Sequence, residues 1–170
     1  MWLERFAAWG SAIGLAACFL ATGAAQAAPV AGDAVKIPAL TLMDGQERPA
    51  GYYDGKPVII EYWASWCPFC ARQNPYLQRL WDDAKNKGLE VLAISIDRDE
   101  ADARKYIQEK KYTFPVVMQT PELLQTFGKR RIIPKIIVVK ADGKVAEVIP
   151  GEMFEEDVLE LIKYAPEATQ

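Results

Sequence analysis

Apolar residues fall into two kinds of run along this chain. Val58-Ile59-Ile60-Glu61-Tyr62-Trp63, Val91-Leu92-Ala93-Ile94-Ser95-Ile96 and Ile136-Ile137-Val138-Val139 are nearly continuous, as strands covered on both faces should be. Elsewhere apolar positions recur at helical spacing. Leu77, Leu80, Trp81 and Ala84 mark a helix from Pro68 to about Lys87, which basic charge and Gly88 then end. Pro75 lies inside it and cannot hydrogen-bond to Ala71, which predicts a kink. Ala103, Tyr106 and Ile107 mark a second helix, about Glu100 to Lys110, with Asp99 as its cap. Phe114 to Met118 reads as a short strand, and Thr120-Pro121 opens a short helix that Gly128 stops. Val145 to Ile149 pairs with the strand before it through an Asp142-Gly143 turn. A helix of about Glu155 to Tyr164 closes the chain, with Val158, Leu159 and Ile162 inward. Ahead of all this, Ala39 to Gly45 reads as a short strand ending in an Asp-Gly turn. The order predicts an α/β domain with a mixed central sheet flanked by helices on both faces.

Composition narrows the picture without changing it. The chain has 170 residues, enough for one domain with a core, and is 51% hydrophobic with a formal net charge of −3. No basic excess points to nucleic acid. At the N-terminus, Arg5 precedes an uncharged stretch from Phe6 to Ala27 that ends Ala25-Gln26-Ala27. This has the layout of an export signal cleaved after Ala27. Two other readings stay open: an uncleaved membrane anchor, for which the stretch is long enough, and a lipoprotein in which Leu15-Ala16-Ala17-Cys18 makes Cys18 the lipidated residue. Residues 1–27 are therefore expected to be a signal peptide or anchor, 28–36 a linker, and 37–170 the folded domain. All three readings export that domain.

The candidate chemistry lies in Trp63-Ala64-Ser65-Trp66-Cys67-Pro68-Phe69-Cys70. Proline suits the first helical position, which makes Cys67 the cap residue. Its sulfur then lies near unpaired N–H groups and the positive end of the helix dipole, where a thiolate is stabilised. Cys67 is expected to be the exposed nucleophile and Cys70, one turn on, the shielded resolving thiol. Dithiol–disulfide exchange follows, with no cofactor beyond a redox-active Cys67–Cys70 disulfide. The competing reading is a closed structural bridge, which spans too few residues to stabilise much. A zinc site lacks ligands, since the chain has no histidine and its third cysteine, Cys18, falls in the leader.

Gly55-Lys56-Pro57-Val58 followed by Tyr62-Trp63-Ala64-Ser65-Trp66-Cys67 resembles the TlpA/ResA/DsbE branch of the thioredoxin superfamily, from about Ile37 to Tyr164. The resemblance implies a thioredoxin-like fold with an N-terminal β-hairpin and a central strand–helix insertion. It also implies a periplasmic thiol-disulfide oxidoreductase acting on protein thiols and disulfides, with electrons from a membrane thiol donor of the DsbD type. Apocytochrome haem-site or copper-site cysteines are the implied substrates. Glu61 matches the position of the buried acid in such proteins and would relay a proton to or from Cys70; an outward-facing strand residue is the alternative. Pro134 matches the cis-proline loop beside the cysteines, with Ile133 offering backbone to a partner strand. Trp66, Pro68, Phe69 and Ile133 would touch the substrate, and Lys129-Arg130-Arg131 either guides an acidic partner or is a solvated loop. The uncharged Phe69 between the cysteines, against C-P-H-C in oxidising DsbA-type sites, favours a reductase. A periplasmic oxidase or isomerase is the enzymatic alternative. A Sco-like copper-binding module is another, although that family adds a histidine ligand.

Overall fold

A computed structural model describes residues 27–129 and 132–167. Its centre is β3 (Val58–Trp63), six residues buried on both faces. Parallel to it runs β4 (Glu90–Ser95), and parallel to that β5 (Val116–Met118). On the other side β6 (Lys135–Val139) pairs antiparallel with β3, and β7 (Val145–Pro150) antiparallel with β6. The five-stranded order is thus β5-β4-β3-β6-β7, a mixed sheet. Helix α1 (Pro68–Ala84) follows β3, α2 (Glu100–Lys110) follows β4, and α3 (Pro121–Phe127) follows β5. The last helix, α4 (Glu155–Glu160), tightens into a 3-10 turn over Leu161–Tyr164, so the single closing helix expected from the periodicity changes pitch midway. Helix α1 runs on through Pro75 but stops at Ala84, short of Gly88.

Strand parity decides what lies under the cysteines. Alternate residues of β3 point to opposite faces. Ile59 and Trp63 join the core shared with Leu77 and Leu80 of α1, Ala103 of α2 and Val158 of α4. Val58, Ile60 and Tyr62 join the opposite core with Leu123 and Phe127 of α3. Each large apolar side chain so buried stabilises the fold by roughly 1.5–3 kcal/mol. Glu61 has the parity of Ile59 and Trp63, so the same alternation that builds the core sends its carboxyl toward α1.

The hairpin expected ahead of the sheet is present as β1 (Leu40–Thr41) and β2 (Glu47–Arg48). Asp44 Oδ1 accepts from Gln46 N at 2.9 Å, and Gly45 takes a φ of +86°, which glycine adopts without strain. The Met43 N–H donates to Val116 O at 2.7 Å, which docks the hairpin on the otherwise open edge of β5. Residues 28–36, expected to be a linker, are tied down in part. Gly32 N donates to Val145 O, Val145 N to Asp33 O and Val35 N to Gly143 O, at 2.8 to 2.9 Å. Residues 1–26, which include Cys18 and nearly all of the expected signal peptide or anchor, lie outside the described residues. Among those described, no helix is long and apolar enough to cross a membrane.

Candidate active site

Cys67 caps α1. Its backbone is extended, Pro68 takes the first helical position, and Sγ accepts from the Cys70 N–H at 3.2 Å. One of the unpaired donors at a helix start is therefore spent on sulfur. Cys70 comes back on the same side of the helix and is fully buried. Both cysteines are thiols in this structure. Burial pushes the Cys70 thiol well above its usual range, its hydrogen bond with Cys67 raises it further, and the nearby Glu61 adds to the effect.

The exposed nucleophile expected from the helix cap is not what the fold produces. Cys67 is not the exposed sulfur: only 3% of the residue is accessible. The segment ahead of β6 covers it, with Ile133 O 3.9 Å from Sγ. The Ile133–Pro134 peptide bond is cis, and Pro134 is buried while Ile133 is half-buried. The exposed surface belongs instead to the neighbours. Trp66 is 64% accessible, Phe69 51% and Ile132 52%, with Pro68 exposed between the cysteines. Arg72 lies over the Phe69 ring at 4.8 Å and forms a two-pronged pair with Glu152 at 2.6 Å. Of Lys129-Arg130-Arg131, the two arginines lie outside the described residues.

Glu61 is fully buried, which sets aside the outward-facing reading. Its Oε1 accepts from Gln73 Nε2 at 2.7 Å, while Oε2 has no hydrogen-bond partner among the described residues. Desolvation pushes its pKa up to about 8, with the Gln73 hydrogen bond pulling the other way.

Two polar groups that the sequence pattern does not single out complete the site. Asp97 follows β4 and is 7% exposed. It accepts from Ser65 N at 3.0 Å, Ser65 Oγ at 2.6 Å and Ser95 Oγ at 2.7 Å. It thereby fixes the turn two residues before Cys67. Gln73, three residues past Cys70, is the other. An Asp in a loop and a Gln in a helix both read as solvent-facing, and no local signal marks either. Asp97→Ala leaves the Ser65 N–H and the Ser95 hydroxyl without their acceptor. Urea unfolding should show a loss of roughly 1–3 kcal/mol, and an unchanged midpoint would mean that the turn holds itself.

Residues 30–162 match the family described as Redoxin. The chain belongs to the redoxin family. It is 30% identical over 127 residues to the thiol-disulfide oxidoreductase ResA of Geobacillus kaustophilus, covering 73% of each chain. To ResA of Geobacillus thermodenitrificans it is also 30% identical, over 128 residues and 73% of each. Among solved structures, a thiol:disulfide interchange protein of the thioredoxin family from Chlorobium tepidum superposes with a TM-score of 0.72 at 26% identity. That superposition covers 82% of this chain and 99% of the other. StoA from Bacillus subtilis, 20% identical with a TM-score of 0.65, covers 76% and 97% and shares the fold. This redoxin is a thiol-disulfide oxidoreductase of the ResA type with a thioredoxin-like fold.

Proposed function

We propose that this redoxin is an exported reductase of protein disulfides, working in the periplasm through Cys67-Pro68-Phe69-Cys70. The observation that carries the reading is Cys67 Sγ at the start of α1, accepting from Cys70 N at 3.2 Å with a buried acid behind it. Cys67 as thiolate attacks one sulfur of the partner's disulfide, and the partner's other sulfur leaves as a thiolate that takes up a proton. Cys70 then attacks Cys67 Sγ, closing the Cys67–Cys70 disulfide and releasing the partner's second thiol. Two electrons pass to the partner. The proton lost by Cys70 goes to the Glu61 carboxylate, whose Oε2 is unoccupied by other donors among the described residues.

Exposed Trp66, Phe69 and Ile132 around a dithiol that is itself nearly covered support a protein partner over a small thiol. Pro134 and Ile133 offer that partner a backbone edge beside Cys67. No charged side chain stands between the cysteines, which supports the reducing direction. Haem-site or copper-site cysteines are the proposed substrates, and a membrane thiol carrier of the DsbD type is the proposed electron donor. No metal or organic cofactor enters the scheme; the redox group is the cysteine pair, and nucleic acid has no part. The leader of residues 1–27 is proposed to carry the domain out of the cytoplasm, with or without retention at the membrane.

The test is the equilibrium potential against glutathione. A value near about −270 mV supports a reductase, whereas one near about −120 mV makes the protein an oxidase.

A further inference from the structure

Gln73 spends both ends of its amide inside the core. It is fully buried on α1, with Nε2 donating to Glu61 Oε1 at 2.7 Å and Oε1 accepting from Met153 N at 2.8 Å. A backbone N–H can only donate, so the amide oxygen must face Met153 and the NH2 group is left for the acid. The orientation of Gln73 is thus fixed by the Met153 backbone, whatever the protonation state of Glu61. An amide whose carbonyl accepts a hydrogen bond is also a stronger donor at nitrogen.

Met153 lies in the segment between β7 and α4, and its neighbours are anchored too. Gly151 N donates to Pro134 O at 2.9 Å, and Glu152 pairs with Arg72. One short loop therefore touches the backbone beside Cys67, the outer face of α1 and, through Gln73, the buried acid.

We propose that Gln73 is a positioning residue that holds the Glu61 carboxyl and links it to the Gly151–Met153 loop, so that the loop beside Pro134 and the ionisation of the acid are coupled. The consequence for exchange rests on Glu61 acting as the proton relay; the link itself does not.

The surroundings of Glu61 leave the amide little competition. Across the sheet it is flanked by Ala93 of β4 and Ile136 of β6. The titratable groups that feel its charge are Cys70 on α1, itself in contact with Cys67, then Tyr106 on α2 and Tyr112 beyond it. None of these is a cation. Burial opposes the carboxylate form, and the Gln73 amide is the group that favours it.

The test uses Gln73→Met, which removes both contacts at similar length, and Gln73→Glu, which keeps an acceptor for Met153 N but replaces the permanent amide donor to Glu61 by a carboxyl that donates only while protonated. Glu61 ionisation is read from its carboxyl carbon resonance in the folded protein. Both variants should raise it by about one pH unit or more, the loss of one hydrogen bond to a charged group; in Gln73→Glu the two carboxyls titrate as a coupled pair. In the wild-type protein the Met153 amide resonance should follow the Glu61 titration, and in Gln73→Met it should not. A Glu61 titration unmoved in Gln73→Met, or a Met153 amide insensitive to it in the wild-type protein, overturns the inference. Should Gln73→Met not fold, an unmoved upper step in Gln73→Glu overturns it equally. If the Glu61 titration shifts while the pH profile of exchange stays in place, the link stands and the relay role of Glu61 falls.

Discussion

Cys67→Ser is expected to end exchange, lowering the rate with a protein disulfide by on the order of a thousandfold or more, because no second sulfur can take its place. Cys70 lies deeper, fully buried, with its thiol pushed up by that burial. A thiol held protonated there is a poor nucleophile toward anything outside, but it is well placed against Cys67. Cys70→Ser should therefore have the opposite phenotype. Cys67 still attacks, the mixed disulfide forms, and nothing resolves it. Expressed with residues 1–27 in place, the Cys70→Ser protein should accumulate adducts that migrate high on non-reducing gels and collapse with reductant. The serine also keeps a backbone N–H, so the 3.2 Å donor to Cys67 Sγ survives. The identity of the trapped proteins bears on direction: a membrane thiol donor and a few metal- or haem-site proteins fit a reductase, and a broad set of unrelated secreted proteins fits an oxidase or isomerase. Adducts in Cys67→Ser and none in Cys70→Ser would reverse the assignment of nucleophile and resolver.

What the sequence made legible was what depends on near neighbours. Pro68 one residue after Cys67 is enough to place the cap, and the hydrogen bond from Cys70 N follows from helix geometry. Glu61 stood out because a carboxylate interrupts an apolar run, but its face stayed open in the sequence until the packing of Ile59 and Trp63, which share its parity, placed it inside. The hairpin at Asp44-Gly45 is equally local. By contrast, the contacts that organise the site across the fold carry no local mark. Asp97 reaches Ser65 over 32 positions and Gln73 reaches Met153 over 80. The covering of Cys67 by Ile133, 66 residues away, is of the same kind. Helix-cap geometry alone suggests an exposed sulfur, and only the tertiary approach of the second segment closes it. Likewise Gly32 to Val35 reads as linker because small residues show no periodicity, although their backbone groups bond to Val145 and Gly143.

Replacing Glu61 by glutamine should make the protein more stable and slower at once. In the unfolded chain the carboxyl ionises near 4.5, while in the folded protein burial holds its proton up to about 8. Between those values the native state keeps a proton that the unfolded state has released. Stability of the wild-type protein from this group therefore falls as pH rises through the window, by about 1.4 kcal/mol per unit. Below the window both states are protonated, above it both are ionised, and the slope vanishes at each end. Glutamine does not titrate, and its amide oxygen can still accept from Gln73. The Glu61→Gln protein should accordingly match the wild type near pH 4 and exceed it by several kcal/mol near pH 8, measured by urea unfolding across that range. Exchange should move the other way. Without a carboxylate to take the Cys70 proton, resolution loses the general-base contribution, about 10²- to 10⁴-fold. The rise of the wild-type rate with pH through about 8 should be missing from the variant. A stability difference that is flat across the window would mean that the carboxyl ionises in the folded protein much as it does in water. A stability gain without any kinetic loss would keep the burial and remove the catalytic role. On the proposed mechanism the two effects share one cause: the carboxyl that is costly to ionise in the core is also the group that takes the proton as Cys70 attacks Cys67.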